Sequence, residues 1–234
     1  MKKQIAKISI LMSAMILVAC GANGNLTDES QLYESDGVST NIEIGGIINF
    51  GDFRWIVLDV QDERALIITE RIITQRPFNE GYDSITWEQS EIRQWLNEEF
   101  YYSFTDEERS HIYETAVMNN DNYLFGANAG ANTVDKIFLL SIDEVLHLWG
   151  GNSRGNIYID GTGVVGLWDE RDNERVALNT DGRPHWWLLR SPGQRENMVT
   201  TIFFDGSINL QGVWSSVDGG IRPALWFYWR AVEQ

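Results

Sequence analysis

The sequence predicts an α+β fold, an antiparallel sheet with helices grouped on one side. Three observations predict it. Apolar runs of strand length, broken by short polar turns, open the domain at residues 44–73 and close it at 186–229. Between them, a Thr or Ser precedes Glu or Gln by three residues at three places, each heading an apolar 3.6-residue period. Strands, then helices, then strands is the order of an α+β domain and not of a parallel βαβ sheet.

Residues 44–50, 54–60 and 65–73 are rich in Ile, Val, Leu and aromatics, and Gly51-Asp52 and Gln61-Asp62-Glu63 separate them. They form an expected three-stranded meander. Thr86 heads the first helix, whose buried face is Ile92, Trp95, Leu96 and Phe100. Thr105 heads the second, continued by Arg109, Ile112, Tyr113 and Ala116. Residues 134–140 read as a short strand. Ser141 heads the third helix, with Val145, Leu146, Leu148 and Trp149 apolar, and Gly150-Gly151 stops it. Residues 150–185 show no clear period and hold many Gly, Asn and Asp, the composition of a long functional loop. Four strands follow at 186–190, 198–204, 207–214 and 221–229, with Asp205-Gly206 as a hairpin turn.

The N-terminal residues give an address. Lys2, Lys3 and Lys7 precede an apolar run over residues 8–18, too short for the ~20 residues that span a bilayer. The run ends in Leu17-Val18-Ala19-Cys20. This layout resembles a bacterial lipoprotein signal over residues 1–19. The resemblance implies that Cys20 carries a diacylglycerol and becomes the mature N-terminus, holding an extracytoplasmic protein on the cell membrane. Residues 20–41 are polar and read as a flexible linker with a reach of roughly 25 Å, and residues 42–234 as a single domain. Removal of residues 1–19 takes three of the 18 basic residues and none of the 34 acidic ones, which carries the net charge from −16 to −19. Such a field excludes nucleic acid as a partner. Cys20 is the only Cys, so a lipidated chain keeps no thiol for a disulfide, a metal or a nucleophile.

Several stretches carry a family resemblance. Trp186-Trp187-Leu188-Leu189-Arg190-Ser191-Pro192-Gly193 and Gly220-Ile221-Arg222-Pro223-Ala224-Leu225 resemble the closing half of the domain of unknown function 6273 family, found in surface proteins of Gram-positive bacteria. Gly51-Asp52-Phe53-Arg54-Trp55-Ile56-Val57-Leu58-Asp59-Val60 is similar to its opening half. Thr86-Trp87-Glu88-Gln89-Ser90-Glu91-Ile92-Arg93-Gln94-Trp95-Leu96-Asn97 is similar to its middle, and Asp135-Lys136-Ile137-Phe138-Leu139-Leu140-Ser141 also fits. The likeness covers residues 42–229, with one Leu more than the family's Trp-Trp-Leu-Arg pattern. Trp87, Arg93, Trp95 and Trp186 are expected to be structural, and so are Arg190 and Arg222, each the one cation of an apolar strand, whose guanidinium offers five donors to buried carbonyls or carboxylates. A weaker likeness to the C-type-lectin-like fold of formylglycine-generating enzymes implies that both chain ends share one sheet. It also implies that ligands sit on the long loop before the late strands. The chemistry of those enzymes needs cysteines in the domain, and this domain has none.

The other motifs weigh little. Gly161-Thr162-Gly163-Val164-Val165-Gly166 spells a dinucleotide fingerprint, but the residues after it lack the apolar face of the helix that the motif needs. Gly151-Asn152-Ser153-Arg154-Gly155 spells a nucleophile elbow, but follows a helix instead of a strand. His111, His147 and His185 are too scattered for a zinc site. Asn119, Asn120, Asp121 and Asn122, and again Asp169, Glu170, Asp172, Asn173 and Glu174, offer oxygen ligands without EF-hand spacing, so Ca²⁺ is possible and solvated loop charge is the default.

The expected function is a non-catalytic binding or interaction domain for a surface glycan, a peptide or an envelope protein. Trp168, Trp187, Trp214, Asp181 and Arg195 are the expected ligand contacts, with Trp187 serving either a ligand or the core. The alternatives are a cell-envelope hydrolase built on carboxylates and a purely structural lipoprotein.

Overall fold

The computed structural model describes residues 32–35, 38–149, 156–159 and 163–229. Strand dominates it, at 38% against 17% helix, in an open sandwich of antiparallel sheets with few, short helices. The helix share is lower than the three capping motifs predict, so the chain is a sheet sandwich before it is an α+β domain. Cys20 and the Gly151–Gly155 motif lie outside the described residues. Part of the expected linker is paired: β1 (Leu32–Ser35) and β2 (Val38–Asn41) form a two-stranded ladder.

The predicted meander is present as β3 (Ile47–Phe50), β4 (Phe53–Gln61) and β5 (Arg64–Thr69). Gly51 at φ +58° and Asp62 at φ +50° turn its two hairpins, positions where Gly and Asp pay least for a left-handed backbone. The chain then leaves this sheet for β6 (Thr74–Arg76). Helix α1 (Glu91–Trp95) begins at Ser90, whose hydroxyl accepts the Arg93 N–H, and not at Thr86. Thr86 heads only a 3₁₀ turn and makes no side-chain cap. α1 continues as a π-helical turn, Leu96–Phe100.

Helix α2 (Asp106–Arg109) has its capping box, Thr105 with Glu108, but stops after one turn. The sequence period carried it to Ala116. Instead Ile112 bridges to Phe227, and residues 115–117 form β7 (Thr115–Val117) against β8 (Thr133–Asp135). Pairing with distant strands outweighs a weak local preference, and Thr115 and Val117 are β-branched. Helix α3 (Ile142–Leu148) follows its Ser141–Glu144 box as expected.

Residues 150–185 are not one loop. They include the hairpin β9 (Asn156–Ile159) and β10 (Val165–Trp168), a one-turn helix α4 (Asp172–Arg175), and the small ladder β11 (Ala177–Leu178) with β12 (Pro184–His185). A strand, β10, follows the glycines of residues 161–166 where a dinucleotide site needs a helix. The late strands are β13 (Trp187–Pro192), β14 (Met198–Ile202), β15 (Ile208–Trp214), β16 (Gly219–Ile221) and β17 (Ala224–Tyr228). A register shift in β13 between Leu188 and Pro192 lies where the chain has its additional Leu.

The strands form two principal sheets. One has seven strands in the order β6-β16-β13-β14-β15-β10-β9, antiparallel except for the parallel β13–β16 pair. The other has four in the order β17-β5-β4-β3, which places the early meander and the last strand in one sheet. The stretch 221–229 that reads as a single strand is therefore two. Arg222-Pro223 is the corner between the sheets, and Pro223 cannot donate to a ladder. Residues 70–73 cross beside it, and Arg222 fastens the two crossings, donating from Nε to the Thr69 carbonyl at 2.7 Å and from Nη2 to that of Glu70 at 3.4 Å.

The buried apolar side chains from Ile42 to Trp229 form one cluster. Phe100 and Phe104, after α1, stack around Phe50 and Phe53 of the four-stranded sheet. α3 instead meets β13, through the Ile142 N–H on the Ser191 hydroxyl at 3.0 Å. The helices thus divide between the sheets. Among the described residues no helix is long and apolar enough to cross a membrane.

Candidate functional site

The residues expected at a ligand site do not converge. Trp187 is fully buried, its indole N–H on the Arg175 carbonyl at 3.1 Å and its ring 5.1 Å from the Arg222 guanidinium. It belongs to the core, which corrects its candidacy for ligand stacking. Trp214 and Arg195 are exposed near the Met198 end of the β14–β15 ladder. Trp168 is 48% exposed at the other end of β15, past the Leu167–Ile208 pair. Some six residues of β15 intervene, roughly 20 Å at strand rise. Asp181 is exposed in the turn between β11 and β12. An exposed Trp168 contributes little to the fold, so Trp168→Ala should leave the thermal midpoint within about 3 °C of wild type by calorimetry.

The oxygen-rich clusters serve the fold. Asn122 is buried and donates to the carbonyls of Pro192 and Leu210, while its Oδ1 accepts the Leu124 N–H. Asp121 accepts from the Ala129 N–H and Asn120 donates to Asp143. Asp169 and Asp172 clamp Arg175, which is fully buried and also donates to the Gly206 carbonyl at 2.8 Å. Burial pushes the Asp172 carboxyl above its ordinary value, against the pull of the Asp169 N–H and Arg175. Gly206 is at φ +87°, and a Cβ there would lie 1.8 Å from the Asp172 carbonyl oxygen, so the predicted Asp205-Gly206 turn has to be glycine. Among the described residues no group of three or more His, Cys, Asp or Glu is placed to hold a metal ion.

The residues assigned structural roles occupy such positions. Arg190 is buried and donates to the carbonyls of Leu139 and Met118, to Asn119 Oδ1 and to Glu144, the capping carboxylate of α3. Trp186 is half-buried and stacks on His185. Asp135, fully buried, gathers the Trp87 indole N–H at 2.8 Å, the Thr133 hydroxyl at 2.6 Å and Arg93 Nε at 2.6 Å.

That cluster carries α1, and along α1 lie two adjoining open clefts. The first, about 270 Å³, is lined by Arg76, Glu80, Glu91, Gln94, Trp95, Glu98 and Glu99. The second, about 420 Å³, shares Gln94 and Glu98 and adds Glu88, Arg93, Glu114 and Lys136. Six glutamates therefore face three cations along one groove. Two of the cations are engaged, Arg93 with Asp135 and Lys136 with Glu114 at 3.3 Å. Arg76 lies 4.6 Å over Trp95, whose ring is also stacked with Phe100 at 5.3 Å. With Arg76 over it and Phe100 stacked on it, the indole offers no open platform to a sugar. What remains is an acidic, hydrogen-bonding trough. The groove has no signature in the sequence, because Glu80, Glu114 and Lys136 join the glutamates of the helix only through the tertiary fold.

No curated protein and no solved structure matches the chain. A family model described as a domain of unknown function matches residues 62–229, from the turn after β4 to the residue after β17, and so takes in the α1 groove, the seven-stranded sheet and strands β5 and β17 of the four-stranded one, but not β3 and β4; the chain belongs to the DUF6273 family.

Proposed function

We propose that the chain is a membrane-anchored extracytoplasmic lipoprotein whose domain binds a basic peptide segment of another envelope protein in the groove along α1. The observation that supports this most is the excess of glutamates lining that groove around a covered tryptophan. Charge complementarity steers a cationic segment to such a trough, and its open shape suits an extended chain. The π-helical turn at Leu96–Phe100 adds support, since such turns are frequent at functional sites. A carboxylate hydrolase has less support: Asp172, the carboxyl raised by burial, is committed to Arg175. Placement of the meander and last strand in one sheet favours a C-type-lectin-like arrangement as the finer description of the fold.

Two experiments test the reading. A palmitate analogue fed to cells should label the protein, and Cys20→Ala should abolish the label and release soluble protein. Label that persists in the variant defeats the anchor. A fluorescein-labelled oligolysine peptide should bind the purified full-length protein with an affinity that falls as salt rises. Glu98→Gln combined with Glu99→Gln should weaken it about tenfold while stability changes by less than about 0.5 kcal/mol. Both side chains are exposed, so unchanged anisotropy titrations would remove the groove from the function.

A further inference from the structure

A separate cleft of about 310 Å³ opens beside the crossing between the two sheets. Its lining includes apolar Phe53, Ile72 and Ile73 and charged Asp52, Arg54, Glu70 and Arg71. Its electrostatics are opposite to those of the chain as a whole. Glu70 is bound by Arg54 at 3.0 Å, and Arg71, exposed, has no ion pair among the described residues. Behind the wall sits Arg222, 1% exposed, held by the carbonyls of the lining residues Thr69 and Glu70. Three guanidinium groups thus meet two carboxylates in a protein of net charge −16. Arg222 Nη1 and Thr69 Oγ1 are both buried without a hydrogen-bond partner among the described residues. Burial pushes the Arg222 guanidinium down to about 10, against the upward pull of the Glu70 carboxylate, so it is still charged at neutral pH.

We propose that this cleft binds a small amphiphile with one carboxylate and an apolar body of the size of a phenyl or leucyl group. The apolar body lies against Phe53, Ile72 and Ile73. The carboxylate pairs with Arg71, the lining cation free to take it, in the field of Arg222. This site is distinct from the α1 groove and selects the opposite charge, so either can fail without the other.

Phenylacetate and its neutral isostere phenylacetamide probe it, with amide shifts followed by NMR on the full-length protein. Phenylacetate should shift the amides of residues 69–73 and Thr180 saturably, with a roughly millimolar midpoint for so few atoms. Phenylacetamide should bind about tenfold more weakly, the loss of one charge-assisted contact. Arg71→Ala, an exposed change, should equalise the two ligands. The proposal is overturned if those amides do not shift saturably, if both ligands bind the wild type equally, or if Arg71→Ala keeps the preference.

Discussion

Trp187→Ala should unfold with a loss of about 3–5 kcal/mol in urea titrations, the range for a large buried side chain cut to alanine. Three terms act together. The indole is fully buried at the centre of the seven-stranded sheet, between β14 and β16. Its N–H holds the Arg175 carbonyl, and so ties α4 to the sheet. Its ring lies under Arg222, the residue that fastens the two sheet crossings. At 2–4 °C per kcal/mol for a domain of this size, the thermal midpoint should fall by about 10 °C or more. Trp187→Phe keeps most of the packing and should lose less than half as much. A loss below about 1 kcal/mol for the alanine variant would mean that Trp187 is not where it is described.

The contrast with Trp168 shows what the sequence could and could not tell. The two tryptophans differ in role because one pairs between inner strands and the other ends a strand near the sheet edge. Strand order is set by contacts far apart in the chain, and no local pattern records it. The meander was legible, because Gly51 and Asp62 mark its turns where left-handed backbone is needed. The capping boxes at Thr105 and Ser141 were legible for the same local reason. Helix length was not: Ile112 left the helical period to pair with Phe227. The strand β10 was hidden because it has four residues and a glycine within it. Arg190 and Arg222 stood out as lone cations in apolar strands, and both satisfy buried carbonyls. The α1 groove left no comparable sign, since Arg76, Glu80, Glu114 and Lys136 arrive from other segments.

Asp135→Ala should cost about 3–5 kcal/mol, as expected when one partner of a buried ionic cluster is removed. The carboxylate is fully buried and accepts from three donors, the Trp87 indole, the Thr133 hydroxyl and Arg93 Nε. Without it the Trp87 N–H stays buried with no acceptor, at about 1–3 kcal/mol for the lost partner alone. Arg93 is 27% exposed and donates also to the carbonyls of Glu88 and Val134, so water and backbone soften its share. Asp135→Asn should be intermediate: its amide NH₂ must turn toward Arg93 or toward Trp87 and Thr133, and each of these is a donor. Arg93→Met alone should cost less than Asp135→Ala, because it leaves the carboxylate two hydrogen bonds. In the double variant the two costs should fall short of additivity by about 1 kcal/mol or more, the coupling of a contacting charged pair. α1 rests on this cluster through Trp87 and Arg93, so oligolysine binding in the groove should weaken in parallel with Asp135→Ala even where the protein stays folded. Strict additivity in urea titrations, or a cost for Asp135→Ala under about 1 kcal/mol, would show that the cluster does not support the helix.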